Sequence, residues 1–391
     1  SASTSLVQSQ VASLGGNVSL KAGEAYQQTA SSVIAQGDIA IGARTVDIVA
    51  AQETHAGEQH SQFSKSSIGG TINIPIVSAV QSLAQTAQQA GKAPDSRIAA
   101  LAGINAAFQA ADVLKAAEAL GSANPAAGIK VGISIGNSKS EHHSVESASS
   151  AVGSKVQAGG ELRIEATGAG KASDLKVAGS ELAAGGAVAL KADGAVNLQA
   201  AKNESELHSK NASSGASIGI AFSFGGTQNG FTLELAANQA KGRAEGSETH
   251  WTHTQVAGKS IDVQSGGDTV LQGAVLKAGQ VTGRIGGDLK IESLQDKTVY
   301  DAKQQSAGFS ASICVPPFCA GASTVSASYS QAKAKGDFQS VTEQSGIKAG
   351  DGGFQLDVKG GTTLTGGAIS SSQAAVDAGK NSLSTSTLAV S

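Results

Sequence analysis

Along most of the chain, apolar and polar residues alternate for only four to six positions before glycines interrupt them. GGNVSLKAG begins at Gly15, GGELRIEATG at Gly159, GGAVALKADG at Gly185, GGDTVLQGA at Gly266, GGDLKIESLQ at Gly286 and GGFQLDVKG at Gly352. Period-two alternation bounded by glycine predicts short strands with one face buried, and the runs are too short for helices. The phrases also recur at fixed offsets. GGAVALKA at 185–192 matches GGNVSLKA at 15–22, an offset of 170, whereas ADGAVNLQAA at 192–201 matches GARTVDIVAA at 42–51, an offset of 150. The 20-residue difference predicts a coil of about that length. One such coil cannot bury its inward Val, Leu and Ile; a stack of them can. The expected fold is all-β: a right-handed parallel β-helix, with corner glycines supplying the positive φ that turns one strand into the next.

A coarser period is superimposed. Val156, Val256 and Ile347 open equivalent stretches, which divides a single β-helical body of residues 1–391 into long repeats 1–155, 156–255 and 256–346 and a partial one, 347–391. Each long repeat also holds a polar stretch followed by two longer alternating strands, read as an antiparallel hairpin projecting from the coils. TINIPIV (71–77) pairs with GIKVGISIG (128–136), and Ser217–Phe224 with Phe231–Leu235 across GGTQNG. In the third repeat ASIC meets GASTVSAS across Val-Pro-Pro-Phe. Residues 78–127 break the pattern: Leu101, Ile104, Phe108, Ala111 and Leu114 lie three or four apart, predicting an α-helical insertion in the first hairpin.

Composition fits thin, small-residue packing. Glycine contributes 50 residues, aromatics 3%, and methionine is absent. A net charge of −3 with no basic face disfavours nucleic acid as a partner. No run of about 18 apolar residues offers a membrane-spanning helix. The opening SASTSLVQSQ lacks the charged and apolar regions of a signal peptide, so the chain is read as an internal fragment.

Candidate chemistry is sparse. Cys314 and Cys319, the two cysteines, flank a Pro-Pro turn and can close a local disulfide in an oxidising compartment; two thiols alone do not complete a structural zinc site. GxSxG occurs at Gly132–Gly136 and Gly215–Gly219, but inside alternating strands rather than a strand–turn–helix elbow. Ala257-Gly-Lys-Ser260 has His253 where a phosphate loop needs its first glycine. Gly350-Asp-Gly-Gly353 does not recur in tandem as a calcium nonapeptide would. The seven histidines lie in the polar stretches flanking the hairpins; His250-Trp-Thr-His253 is read as a solvated segment rather than a metal site. No catalytic residue, metal, cofactor or small-molecule substrate is assigned.

GDTVLQGAVLKAG, then GGDLKIESLQD, a polar run and SAGFSAS resemble the haemagglutinin repeats of the filamentous-haemagglutinin and contact-dependent growth inhibition exoproteins. The resemblance covers nearly all of the chain, leaving out 78–127 and the Ser/Thr-rich end. It implies a bacterial surface protein exported by an outer-membrane two-partner secretion transporter, contacting the target-cell envelope and serving passage of a C-terminal toxin. The alternatives are an adhesin stalk and, third, a polysaccharide-active β-helix enzyme.

Overall fold

A computed structural model describes residues 1–73, 129–224 and 228–391; the expected helical insertion at 78–127 lies outside them. Among the described residues nearly everything is strand, with one α-helix, Gln373–Asp377. The strands form a 13-stranded and an 8-stranded parallel assembly and a separate 7-stranded sheet.

The parallel strands fall into three rows. The first runs Gln10–Ser13, Ser32–Ala35, Lys155–Ala158, Glu181–Ala184, and the second Val18–Lys21, Ile39–Ala43, Leu162–Ala166, Ala187–Ala192. Longer strands, beginning with Thr254–Ser265, pair by their first half with the first row and by their second half with the other, so both rows count as one sheet. The third row is the 8-stranded sheet: Ala25–Thr29, Thr45–Val49, Leu175–Ala178, Val196–Gln199, Thr269–Gln272, Leu289–Glu292, Gly361–Thr365 and Thr387–Val390. Where no hairpin intervenes, the chain returns to the same row after 20 or 21 residues between Glu24 and Arg44, Asp174 and Ala195, and Asp268 and Asp288. It returns after 26 between Lys155 and Glu181 and 27 between Gln355 and Ser382, where the short helices Gly170–Ala172 and Gln373–Asp377 lengthen the coil. Each row turns alternate residues inward. Ile48, Val177, Leu198 and Leu271 are fully buried beside Val46, Leu175 and Val196, and the core continues through Leu162, Leu190, Ile261 and Leu289.

Several of the repeated glycines have a different purpose from the one expected, whereas Gly353 does take a positive φ (71°). Gly160, Gly194, Gly287 and Gly360 are not in the left-handed region. They are glycine because an aspartate of the adjacent coil occupies the place of a Cβ. A Cβ at Gly160 would lie 2.1 Å from Asp38 Oδ1, and one at Gly287 2.1 Å from Asp268 Oδ1. These carboxylates in turn accept backbone N–H groups of the neighbouring coil, Asp38 from Glu161 at 2.8 Å and Asp268 from Asp288 at 2.9 Å. Positive φ is used elsewhere, at the corner from the third row back to the first: Ala30 (42°), Gly179 (57°), Gly273 (66°) and Gly366 (58°).

That corner has two forms, used alternately. After one coil the chain turns through the left-handed residue. After the next it leaves as a hairpin and returns to the first row. The three hairpins pair Ala51–Asn73 with Ile129–Val152, Ala201–Phe224 with Gln228–Thr252, and Asp296–Gly321 with Thr324–Ser340. They also pair with each other, edge to edge, through the whole 7-stranded sheet. The reason is commensurate spacing. Strands in any sheet lie about 4.8 Å apart, so a two-stranded hairpin emerging every two coils lands one strand-width from its neighbour.

Two expectations change here. The polar stretches do not flank the hairpins; they are the hairpins' proximal halves, paired from Ala201↔Thr252 out to Ser223↔Gly230. They show no apolar alternation because both faces of that part are exposed, and the pairing is carried by the backbone. The third hairpin reverses at Ala322–Ser323 rather than at Val-Pro-Pro-Phe. Those residues instead form a bulge in the outgoing strand, Cys314 and Cys319 sitting opposite Thr232 and Gly230 of the preceding hairpin.

Candidate functional site

The coil interior is filled by side chains, and among the described residues most of the exposed large apolar side chains lie on the hairpin sheet. Its proximal half is polar and charged. His143 Nε2 lies 2.9 Å from Glu58 Oε1, His55 Nε2 3.3 Å from Glu146 Oε1, and the His60 and His143 rings meet edge-on at 5.9 Å. The hydrogen bond and charge of His143 hold the Glu58 carboxyl below the usual carboxylate range, and Lys335, 2.7 Å from Asp301, does the same there. All of these cross-strand groups are on the surface, so they tune register and solubility more than stability.

The distal half is different. Val131, Ile133 and Ile135 lie opposite Phe222, Ile220 and Ile218, which lie opposite Phe231, Leu233 and Leu235 on the next strand. Directly opposed residues share a face, so these nine make one apolar surface. It remains open: Ile133 is 67% exposed and Ile220 60%. Phe222 and Phe231 pack edge-to-face at 5.0 Å, and all of the group but Leu235 line an open depression of about 680 Å³. The other face carries small and polar residues. Ser134 lies opposite Gly219 and Ser217 opposite Gly136. A Cβ at Gly219 would approach Ser134 Cβ to 2.7 Å, so glycine and serine alternate there to let backbones close up. Further along, Ser312 Oγ lies 2.7 Å from both Gln228 Oε1 and Glu234 Oε1, with one hydroxyl proton to donate between the two acceptors.

Cys314 and Cys319 are joined, with sulfurs 2.05 Å apart, and both are buried. The bridge closes the bulge around Val315–Phe318; Phe318 stays 70% exposed at its tip. Both GxSxG segments are strand residues paired with each other, with no helix after either. Ala257–Ser260 lies within the strand Thr254–Ser265, and Gly350–Gly353 is a bulge opposite Ala278–Gln280, its Asp351 accepting from Ser372 Oγ at 2.6 Å. His250 lies in the hairpin strand Gln228–Thr252, near its end, and His253 lies just beyond it; among the described residues no three potential metal ligands come together. The single-strand alternation at 129–136 and 217–235 is visible in the sequence, but its assembly into one surface is not, because that depends on pairing between hairpins more than 70 residues apart.

The hemagglutinin repeat family matches residues 1–111, 133–307 and 310–388. The chain belongs to the hemagglutinin repeat family. The match extends into the insertion and almost to the last residue, further than the resemblance read from the motifs; the Ser/Thr-rich end supplies the last strands, Ser382–Ser384 and Thr387–Val390. Among curated relatives, the chain is 35% identical over 390 residues to "Deoxyribonuclease CdiA" of Dickeya dadantii, covering 98% of this chain and 11% of that protein. It is 35% identical over 392 residues to "tRNA nuclease CdiA" of Escherichia coli strain NC101, covering 98% and 12%. It is 34% identical over 389 residues to "Deoxyribonuclease CdiA" of Yersinia pseudotuberculosis, covering 98% and 35%. No solved structure matches the chain.

Proposed function

We propose that this hemagglutinin repeat chain is a structural, translocation-associated segment of a contact-dependent growth inhibition exoprotein, supporting passage of a C-terminal toxin into a target cell. One observation carries the reading. Relatives named for two different chemistries, a deoxyribonuclease and a tRNA nuclease, are each 35% identical to this chain across 98% of its length. What the segment shares with them is therefore independent of which nucleic acid the toxin attacks, as expected of delivery machinery. On this reading the three rows are the walls of a right-handed parallel β-helix and the hairpins its projecting face. The parent protein is exported through an outer-membrane two-partner secretion transporter to the bacterial surface, and this segment meets the target-cell envelope. The Cys314–Cys319 bridge then forms after export into an oxidising compartment.

The test is a deletion that respects the period. Removing 201–295 takes out one hairpin and the two coils that follow it, and leaves the flanking coils in register. In the parent protein on a producing cell, attachment to target cells should persist while target killing is lost. Attachment lost in proportion to killing would favour the adhesin-stalk reading, and intact killing would defeat both.

A further inference from the structure

We infer that the outer edge of the first hairpin, Gly57–Ile68, docks one further antiparallel strand, supplied by a hairpin of the same repeat class, in a register already set by the first residues of this chain. Ala2, Ser3 and Thr4 pair antiparallel with Ala56, His55 and Thr54. Ser147, Ala148 and Ser149, at the end of the first hairpin, pair in the same way with Glu206, Ser205 and Glu204 of the second. Six residues beyond Thr4 is Gln10, and six beyond Ser149 is Lys155; both enter the first row and both pair with Ser32, one on each side.

A side-chain clamp repeats the equivalence independently. Two residues past each of these segments a backbone N–H is held by an acceptor on the next outgoing strand. Leu6 N–H donates to Glu53 Oε1 at 2.8 Å, and Ala151 N–H to Asn203 Oδ1 at 2.6 Å. Trp251 N–H donates likewise to Asp296 Oδ1 at 3.0 Å where the third hairpin leaves. Residues 2–6 thus occupy the place of the last residues of a returning hairpin strand.

Beyond Ala56 the edge runs on unpaired among the described residues. The strand is long and regular, pairs with Ile129–Val152 without a register shift, and between Gly57 and Ile68 has no proline and a single lysine, Lys65. Isolated edges are normally blunted by such features; an edge without them is a template for another strand. The two-coil spacing puts the returning strand of a neighbouring hairpin on this edge. A second copy of this chain stacked end to end does not fit. Two coils follow the third hairpin and two precede the first, so Thr324–Ser340 of one copy would stop short of Ala51–Asn73 of the next, leaving room for two strands. The occupant is a hairpin that fills that gap, with an extended returning strand of small and polar residues like Asn137–Glu146.

The full chain can carry its own probe. A copy of the sequence of residues 132–145 is placed directly ahead of Ser1, which stands where Glu146 stands in the first hairpin. In the inferred register the copied position of His142 falls opposite Ser61. With cysteine at that copied position, mild oxidation should close a disulfide with Ser61→Cys at least about tenfold faster than with His60→Cys or Gln62→Cys, which face the other side. Amide exchange over Gly57–Ile68 should slow about tenfold or more relative to a scrambled leader, while exchange in the core rows, read in the same experiment, reports that every variant is folded. Equal cross-linking at all three positions, or edge exchange indistinguishable from the scrambled control in folded protein, would overturn the inference.

Discussion

The substitution Gly287→Ala isolates the contact that the repeated glycines serve. Its φ is ordinary, so alanine carries no conformational penalty and gains about 0.4–1 kcal/mol from a stiffer unfolded chain. The new methyl, however, lands 2.1 Å from Asp268 Oδ1 and 2.9 Å from both Asp268 N and Gly267 C. The carboxylate must swing away by more than about 1 Å to restore ordinary van der Waals separation, and doing so breaks its 2.9 Å bond to the Asp288 N–H. A hydrogen bond to a charged group contributes about 1.5–3 kcal/mol, so Gly287→Ala should cost about 2–4 kcal/mol once the backbone contacts are added. Asp268→Ala removes the same bond and should cost about 1.5–3 kcal/mol. It also vacates the space, so the double variant should be destabilised by at least about 1 kcal/mol less than the sum. Denaturant unfolding followed by far-ultraviolet circular dichroism measures all four proteins. Gly42→Ala, where nothing lies within 4 Å of the added carbon, is the control and should change stability by less than about 0.5 kcal/mol. Additive single effects, or a neutral Gly287→Ala, would refute the idea that the aspartate rather than the backbone angle demands glycine.

Val196→Asp should destabilise the stack by several kcal/mol, since Val196 is fully buried in the third row and an unpaired carboxylate there has no partner; thermal unfolding checks this, with the exposed Phe63→Asp expected to be nearly neutral. Replacing 74–128 by a short turn should leave the parallel rows folded, because Asn73 and Lys130 are already paired neighbours; loss of the cooperative β transition would show otherwise. Exported protein should show Cys314 and Cys319 joined in non-reduced peptide mass spectra, and reduction should lower stability by no more than about 2 kcal/mol because the closed loop is short. Glu58 should titrate below the ordinary glutamate range by NMR and move back up in His143→Gln. Because the folded-state value is the lower one, its small contribution to stability is present above the unfolded-state value and lost as pH falls through the folded-state one.

The coil was legible in the chain because its determinants are local. Alternation in GGAVALKA or GGDLKIES places Val188, Leu190, Leu289 and Ile291 inward whatever lies above or below, and the offsets of 150 and 170 expose the coil length directly. The hairpins were legible only where one face is apolar, at Ile133–Ile135 and Ile218–Phe222. Their proximal halves escaped notice because strands exposed on both faces need no alternation and are specified by backbone pairing alone. The reason for glycine at Gly160, Gly287 and Gly360 was equally hidden, since the aspartate that fills the space of the missing Cβ lies 19 residues or more away in sequence and next door only in the stack. The joining of three hairpins into one sheet, and the seating of Ala2–Thr4 on its edge, belong wholly to the tertiary structure. They follow from the equality of two distances, the rise of two coils and the width of two strands, and that equality exists only once the chain is stacked.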